Sequence, residues 1–237
     1  MQAIFDTLTL EQHQRWIVGA PDGLKLRVAG KTLADGAVDA VNLIGAEFTQ
    51  CVFSNVTFTK TDLNGTTLKD CAFVDCKFVD CSLQDLLVQN CAFERTALIE
   101  CALPSWRCSA SRFTKVDVSN ANLYKCAFRQ CAFNDVNFQA ASLKRANFTE
   151  CRFPGCTFTD AVAERALFCD SNLIGCDFSG LILDHTFFRR CALRGITGKP
   201  LNPEQAYLEE PDYSERGDRT MIVTEERVQL DWGHAKT

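Results

Sequence analysis

Fourteen cysteines are the residues of this 237-residue chain best equipped for chemistry. Thiols in that number form disulfides in small secreted proteins or bind zinc. Their spacing argues against both. Cys71, Cys76 and Cys81 recur every five residues, not every two to four as in zinc knuckles, and no histidine stands near them. The three histidines, His13, His185 and His234, are far apart, and none neighbours a Cys or Ser suited to act as a nucleophile. There is no phosphate loop, no dinucleotide-binding fingerprint and no His-Glu-X-X-His. These residue types assign no catalytic, metal or cofactor site, and the chain reads as a non-enzyme.

The cysteines belong to a longer pattern that must position them. A large apolar residue recurs at numbers ending in 3 or 8, from Val28 to Leu193, over 34 units without insertion. Only Cys108 and Ala163 break the rule. Two residues before the centre the side chain is mostly small, and twelve of the fourteen cysteines sit there. At that position Cys acts as compact apolar filler, interchangeable with Ala, Ser and Thr. Cys169 points outward and is expected to be a free surface thiol. A second period lies on the first: Leu43, Leu63, Leu83 and Leu103 form one column, and Phe53, Phe73, Phe93 and Phe113 another. Residues twenty apart therefore touch, and one coil is twenty residues with four sides. The last residue of each unit turns the corner, and in 18 of 34 units it is Gly, Asp or Asn. These tolerate the positive φ of a type II turn.

Units such as Ala121-Asn122-Leu123-Tyr124-Lys125 and Ala146-Asn147-Phe148-Thr149-Glu150 resemble the pentapeptide-repeat family. The resemblance implies an all-β fold, a right-handed four-sided β-helix with one unit per side, spanning residues 26–195. Stacked coils would bury centres that a single coil leaves exposed. Residues 1–25 are expected to form a helix and strand cap. In it Thr9 to Val18 reads as a helix capped by Thr9, with Leu10, Trp16 and Ile17 sealing the open end. Leu24, Leu26 and Val28 alternate into the first coil. Pro104-Ser105-Trp106 is the main irregularity: Trp106 takes a small inward position and Cys108 a large one. Either the two trade volume or the coil bulges. Residues 196–237 form a tail, with one or two helical turns expected over Glu204 to Glu210 and a hairpin over Thr220 to Trp232.

Charge bears on partners. The net charge of −5 is concentrated at the C-terminus, and the rod is nearly neutral, which argues against broad nucleic-acid binding through a basic field. No signal peptide or membrane span is legible, so a reducing cytoplasm is expected. One side of the rod gathers Asp39, Asp80, Glu100, Asp117, Asp160 and Asp177 against Lys60 and Lys77 alone. The chain is read as a rigid scaffold for a protein partner. Its similarity to the family's quinolone-resistance branch implies an alternative, a duplex-like acidic rod that protects or inhibits a type II topoisomerase, DNA gyrase. The family resemblance also admits an accessory role in a bacterial secretion apparatus. Finally, Val162 and Ile182, and around one corner Leu167 and Phe187, make an apolar patch of the kind that marks an interface. It is covered by the chain's own tail, through Tyr207, Leu208 and the face of Val228, Leu230 and Trp232, or by a second copy in a homodimer. The short linker favours the tail.

Overall fold

The computed structural model describes residues 2–3 and 5–211, and across them the chain winds as a right-handed parallel β-solenoid of about nine turns. Each turn takes twenty residues. Phe53 pairs with Phe73, Phe73 with Phe93, Phe93 with Phe113 and Phe113 with Phe133, all in parallel register. Backbone hydrogen bonds run from coil to coil, for example Ala92 N–H to the Cys71 carbonyl at 2.9 Å and Asp75 N–H to the Glu94 carbonyl at 3.0 Å. All 34 corners, from Gly30 to Gly195, have φ between 47° and 71°. That includes Arg95, Lys115 and Ala140, whose side chains disfavour the left-handed region. Coil closure overrides local preference at those positions.

The four sides are not equivalent. One carries an unbroken ten-stranded ladder from Arg27–Ala29 to Tyr207–Glu209. Two carry ladders of six and five strands, the latter begun by Gln2–Ala3 beside Gly36–Asp39. The fourth has only isolated bridges, from Asn42 with Asp62 to Val162 with Ile182. On that side the centre's carbonyl accepts from the N–H three residues on, as in Ala46 to Leu43 and Ala146 to Leu143, both at 3.0 Å. The chain turns before a strand can extend.

The centres fill the interior. Phe53, Phe73, Phe93, Phe113, Phe133 and Phe153 stack with centroids 4.6–5.0 Å apart and planes within 10°. Each contact contributes about 0.5–1.5 kcal/mol beyond its buried area. The small inward side chains do more than fill space. Thr61 Oγ1 donates to the Val38 carbonyl at 3.1 Å, Cys76 Sγ to Phe53 at 3.4 Å, Cys126 Sγ to Leu103 at 3.0 Å and Ser171 Oγ to Phe148 at 3.2 Å. In every case the acceptor lies 23 residues back, at a centre in the coil below. Cysteine is thus a weak donor to a buried carbonyl as well as filler, which the reading as apolar filler missed. Trp106 uses the same acceptor: its indole Nε1 donates to the Leu83 carbonyl at 2.5 Å. The register through Leu87–Gln89, Arg107–Ser109 and Ala127–Arg129 is intact, so the coil does not bulge. Trp106 and Cys108 trade volume, both fully buried. The interior gap beside Phe73, Leu83, Phe93 and Trp106 is about 10 Å³, no larger than one water.

Both ends depart from expectation. The N-terminal helix is Thr7–Ile17, and Asp6, not Thr9, caps it. Asp6 Oδ1 accepts from the Thr9 N–H at 2.8 Å, and its other oxygen accepts from the Thr9 hydroxyl at 2.6 Å. Leu10 packs on the core together with Phe5, Ile17 is half-buried, and the Trp16 ring lies over Gly45 while keeping 37% exposure. The residue that closes the seal is His13, fully buried and stacked on Trp16 with centroids 5.5 Å apart. At the C-terminus, the helical turns expected over Glu204 to Glu210 reduce to a 3₁₀ turn at Pro203–Gln205. The strand Tyr207–Glu209 follows and pairs with Phe187–Arg189, still in the twenty-residue register. The period outlasts the loss of its apolar centres at Gly198 and Pro203, because Asn202 Oδ1 and the Leu201 N–H tie that segment to Leu183 and Leu181. The hairpin expected over 220–232 lies outside the described residues.

His13 makes the cap pH-sensitive. Its Nδ1 accepts from the Leu26 N–H at 3.0 Å, so the ring proton sits on Nε2, which is buried without a well-formed hydrogen bond. Burial lowers its pKa from 6.5, the Leu43 carbonyl partly opposes this, and the Lys25 ammonium lowers it further. A depressed histidine contributes stability that is complete above the unfolded value and lost as pH falls through the folded value. Unfolding free energies from urea titrations followed by tryptophan fluorescence should therefore fall on acidification below about pH 6.5, by at most about 1.4 kcal/mol per pH unit. This slope should be absent in His13→Gln. An identical slope in the variant would assign the effect to other groups.

Candidate functional site

With the interior filled, the chemistry this fold presents is on its outward columns, two positions flanking each centre and one at each corner. Side chains twenty residues apart are held one above another at coil spacing. Charged corners are commonly neutralised between successive coils. Asp75 and Arg95 form a two-bond pair at 2.6 and 2.9 Å, and Asp170 and Arg190 another at 2.6 and 2.7 Å. Asn55 donates to Asp35, Asn90 to Asp70 and Gln130 to Glu150 in the same way.

The six acidic residues gathered from the sequence fall on one side and its corner. Asp39, Asp80, Glu100, Asp117 and Asp160 are exposed, and Asp177 is half-buried. They do not form one continuous stripe. Asp80 and Glu100 are successive corners, but Asn120 and Ala140 separate them from Asp160. Asp117 accepts from the Ser119 N–H at 2.9 Å and from Asn137 at 3.1 Å, so it also holds its own turn. Asp177 does the same with Ser179 and Thr159. Partial burial pushes its carboxyl up, but those hydrogen bonds outweigh burial and leave it below its ordinary value.

The apolar residues are brought together. Val162 bridges Ile182, and Leu167 pairs with Phe187. The second column continues: the Tyr207 ring stacks on Phe187 with centroids 4.5 Å apart. Phe187 nonetheless stays 46% exposed and Tyr207 42%. The phase of Tyr207 with Phe187 was available in the sequence, as an aromatic twenty residues on, but the intervening Gly and Pro obscured it. Val228, Leu230 and Trp232 lie outside the described residues.

Thirteen cysteines are buried and free, and Cys169 is half-buried. Burial pushes the Cys108 thiol well up, and the Cys126, Cys156 and Cys191 thiols up to about 12. Cys169 Sγ lies 3.2 Å from an Asp170 carboxylate oxygen and 3.6 Å from Arg190 Nη2. Burial and then the Asp170 charge raise its pKa, against the two neighbouring arginines. Among the described residues no three His, Cys, Asp or Glu side chains converge to hold a metal ion. No helix among them is long and apolar enough to cross a membrane.

A family model for the pentapeptide repeat region matches residues 41–123 and 121–198. Among solved structures, full-length QnrB1, a plasmid-mediated fluoroquinolone resistance protein, matches with a TM-score of 0.53 at 16% identity, over 78% of this chain and 94% of that one. HetL, a pentapeptide repeat protein involved in heterocyst differentiation regulation from the cyanobacterium Nostoc sp. strain PCC 7120, matches at 14% identity and a TM-score of 0.39, over 84% and 92% of the two chains. At 16% identity the likeness to QnrB1 is one of fold alone. No curated protein matches the sequence.

Titration of the native protein with a thiol reagent should find about one fast site, Cys169, and all fourteen after unfolding. Asp170→Asn should speed that site at neutral pH by removing the charge that opposes the thiolate. Several fast sites in the native rod would contradict the burial of the inward columns.

Proposed function

The chain belongs to the pentapeptide-repeat family, and from that premise we propose that it works as a non-catalytic rod that binds a protein partner. The observation that carries this reading is the outward register: parallel ladders hold exposed side chains twenty residues apart at one-coil spacing, while the core admits no substrate. The thirteen buried free thiols favour a reducing compartment, the cytoplasm, as its place of action. Cross-linking in the source cells, followed by purification of the tagged rod, should recover a protein in fixed stoichiometry. That recovery should be lost when outward charges are reversed and retained in Cys169→Ser. Recovery of the rod alone would contradict the reading.

The acidic side favours a narrower version, a partner that is a type II topoisomerase met by a rod of duplex-like charge. Asp80 and Glu100 are exposed on successive coils, and Asp117 is exposed on the next. QnrB1, the fluoroquinolone resistance protein, shares the fold. In a gyrase supercoiling assay with and without a quinolone, the wild-type rod should alter activity. Reversal of Asp80, Glu100 and Asp117 to Lys should remove the effect with the circular dichroism unchanged. No effect of the wild-type rod would leave the protein-binding scaffold with a different partner.

A further inference from the structure

One corner breaks the rule of neutralised neighbours in the direction opposite to the acidic side. It separates the bridge-only side from the ten-stranded side. In the first coils it carries Gly45, Gly65, Asp85 and Ser105, and in the next four Lys125, Arg145, Arg165 and His185. Their backbones are in register: Lys125 N–H donates to the Lys144 carbonyl, Arg145 to Glu164 and Arg165 to Asp184, at 2.8–3.0 Å. All four side chains are exposed. Lys125 lies against the Tyr124 ring, and His185 is held by Asp184. Glu164 is engaged by Lys144 at 2.9 Å and also lies within electrostatic reach of Arg165. Neither Arg145 nor Arg165 has an ion-pair partner among the described residues. Three cations one coil apart, none in an ion pair among the described residues, repel one another, and an anionic partner would relieve that repulsion.

Two further features narrow the partner. The ridge runs between the two apolar pairs, with Leu167 and Phe187 two residues beyond the corner on the ten-stranded side and Val162 and Ile182 on the other. A phosphate backbone has no group to place on Phe187, whereas an amphipathic peptide does. The pitch also discriminates. Ring stacks put the coils 4.6–5.1 Å apart. Carboxylates three and four residues apart on an α-helix recur every ~4.5–6 Å along its axis, whereas those on one face of a strand recur every ~6.8 Å. We propose that this corner docks an acidic amphipathic α-helix of a protein partner, lying along the rod with its carboxylates on Lys125, Arg145 and Arg165 and its apolar residues on Leu167 and Phe187. The helix approaches from the ten-stranded side, because Glu164 and Asp184 occupy the other flank. The contact spans about ten residues of helix, at ~1.5 Å per residue over three coil intervals. This inference rests on the protein-binding reading and names the partner's chemistry.

The test is fluorescence anisotropy with the full chain and a labelled, side-chain-stapled fifteen-residue peptide carrying Glu and Leu at i, i+3 and i+4 spacing. Saturable binding is expected, weakened at least tenfold in Arg145→Glu/Arg165→Glu, weakened in Phe187→Ser, and unchanged in Asp80→Lys/Glu100→Lys. Folding of the double variant is secured because Glu already stands at equivalent left-handed corners, Glu100 and Glu150; circular dichroism checks it. No saturable binding, equal binding of a proline-interrupted peptide or of duplex DNA, or full affinity in the double variant overturns the proposal. If the peptide fails while cross-linking still recovers a partner, the scaffold reading stands and this ridge is not its contact.

Discussion

Everything in this rod depends on one closure condition: the chain must return above its starting point every twenty residues. Only then does each strand's N–H meet a carbonyl of the coil below, as Ala92 meets Cys71 and Leu167 meets Ala146. A buried backbone group without a partner is costly, so the condition is imposed on every coil at once. It holds all 34 corners in the left-handed region, including those occupied by Arg, Lys and Ala. Each such corner is strained locally by about 1–2 kcal/mol, which the ladder offsets.

The same condition explains the cysteines. Closing the coil leaves centre carbonyls facing inward, and Cys, Ser, Thr and once Trp supply the donor. In one column Cys51, Cys71, Cys131, Cys151, Ser171 and Cys191 donate to a centre carbonyl in the coil below, while Cys91 and Ser111 donate to the carbonyl two residues back. Ser111 and Ser171 also accept, taking the Cys91 and Cys151 N–H groups at 3.0 Å. The residues that first suggested metal or redox chemistry are engaged in satisfying the backbone.

Much of this was legible in the residues themselves. The five-residue period, the twenty-residue period and the separation of Phe53 and its stack from Leu43 and its stack follow from packing alone, because identical centres touch. Three things were not legible. The hydrogen bond from an inward thiol has no sequence signature distinct from small size. His13 has no spacing that distinguishes a buried seal from an exposed helix residue. Tyr207–Glu209 lost the apolar centres that mark a unit, at Gly198 and Pro203, yet kept the phase. On the surface, the acidic group and the apolar patch were visible as columns. The cationic corner needed the fold to reveal which neighbours neutralise which.

The account's central claim is that twenty residues, not five, is the structural unit. Deleting residues 131–150 removes one coil and keeps every downstream column in place. Deleting residues 131–135 removes one side, shifts the columns around one corner and sets Phe centres on Leu centres. Thermal unfolding by circular dichroism should show the first variant cooperative with a Tm near that of the full rod. The second should unfold at a markedly lower Tm or without cooperativity. Equal midpoints for the two deletions would contradict the claim.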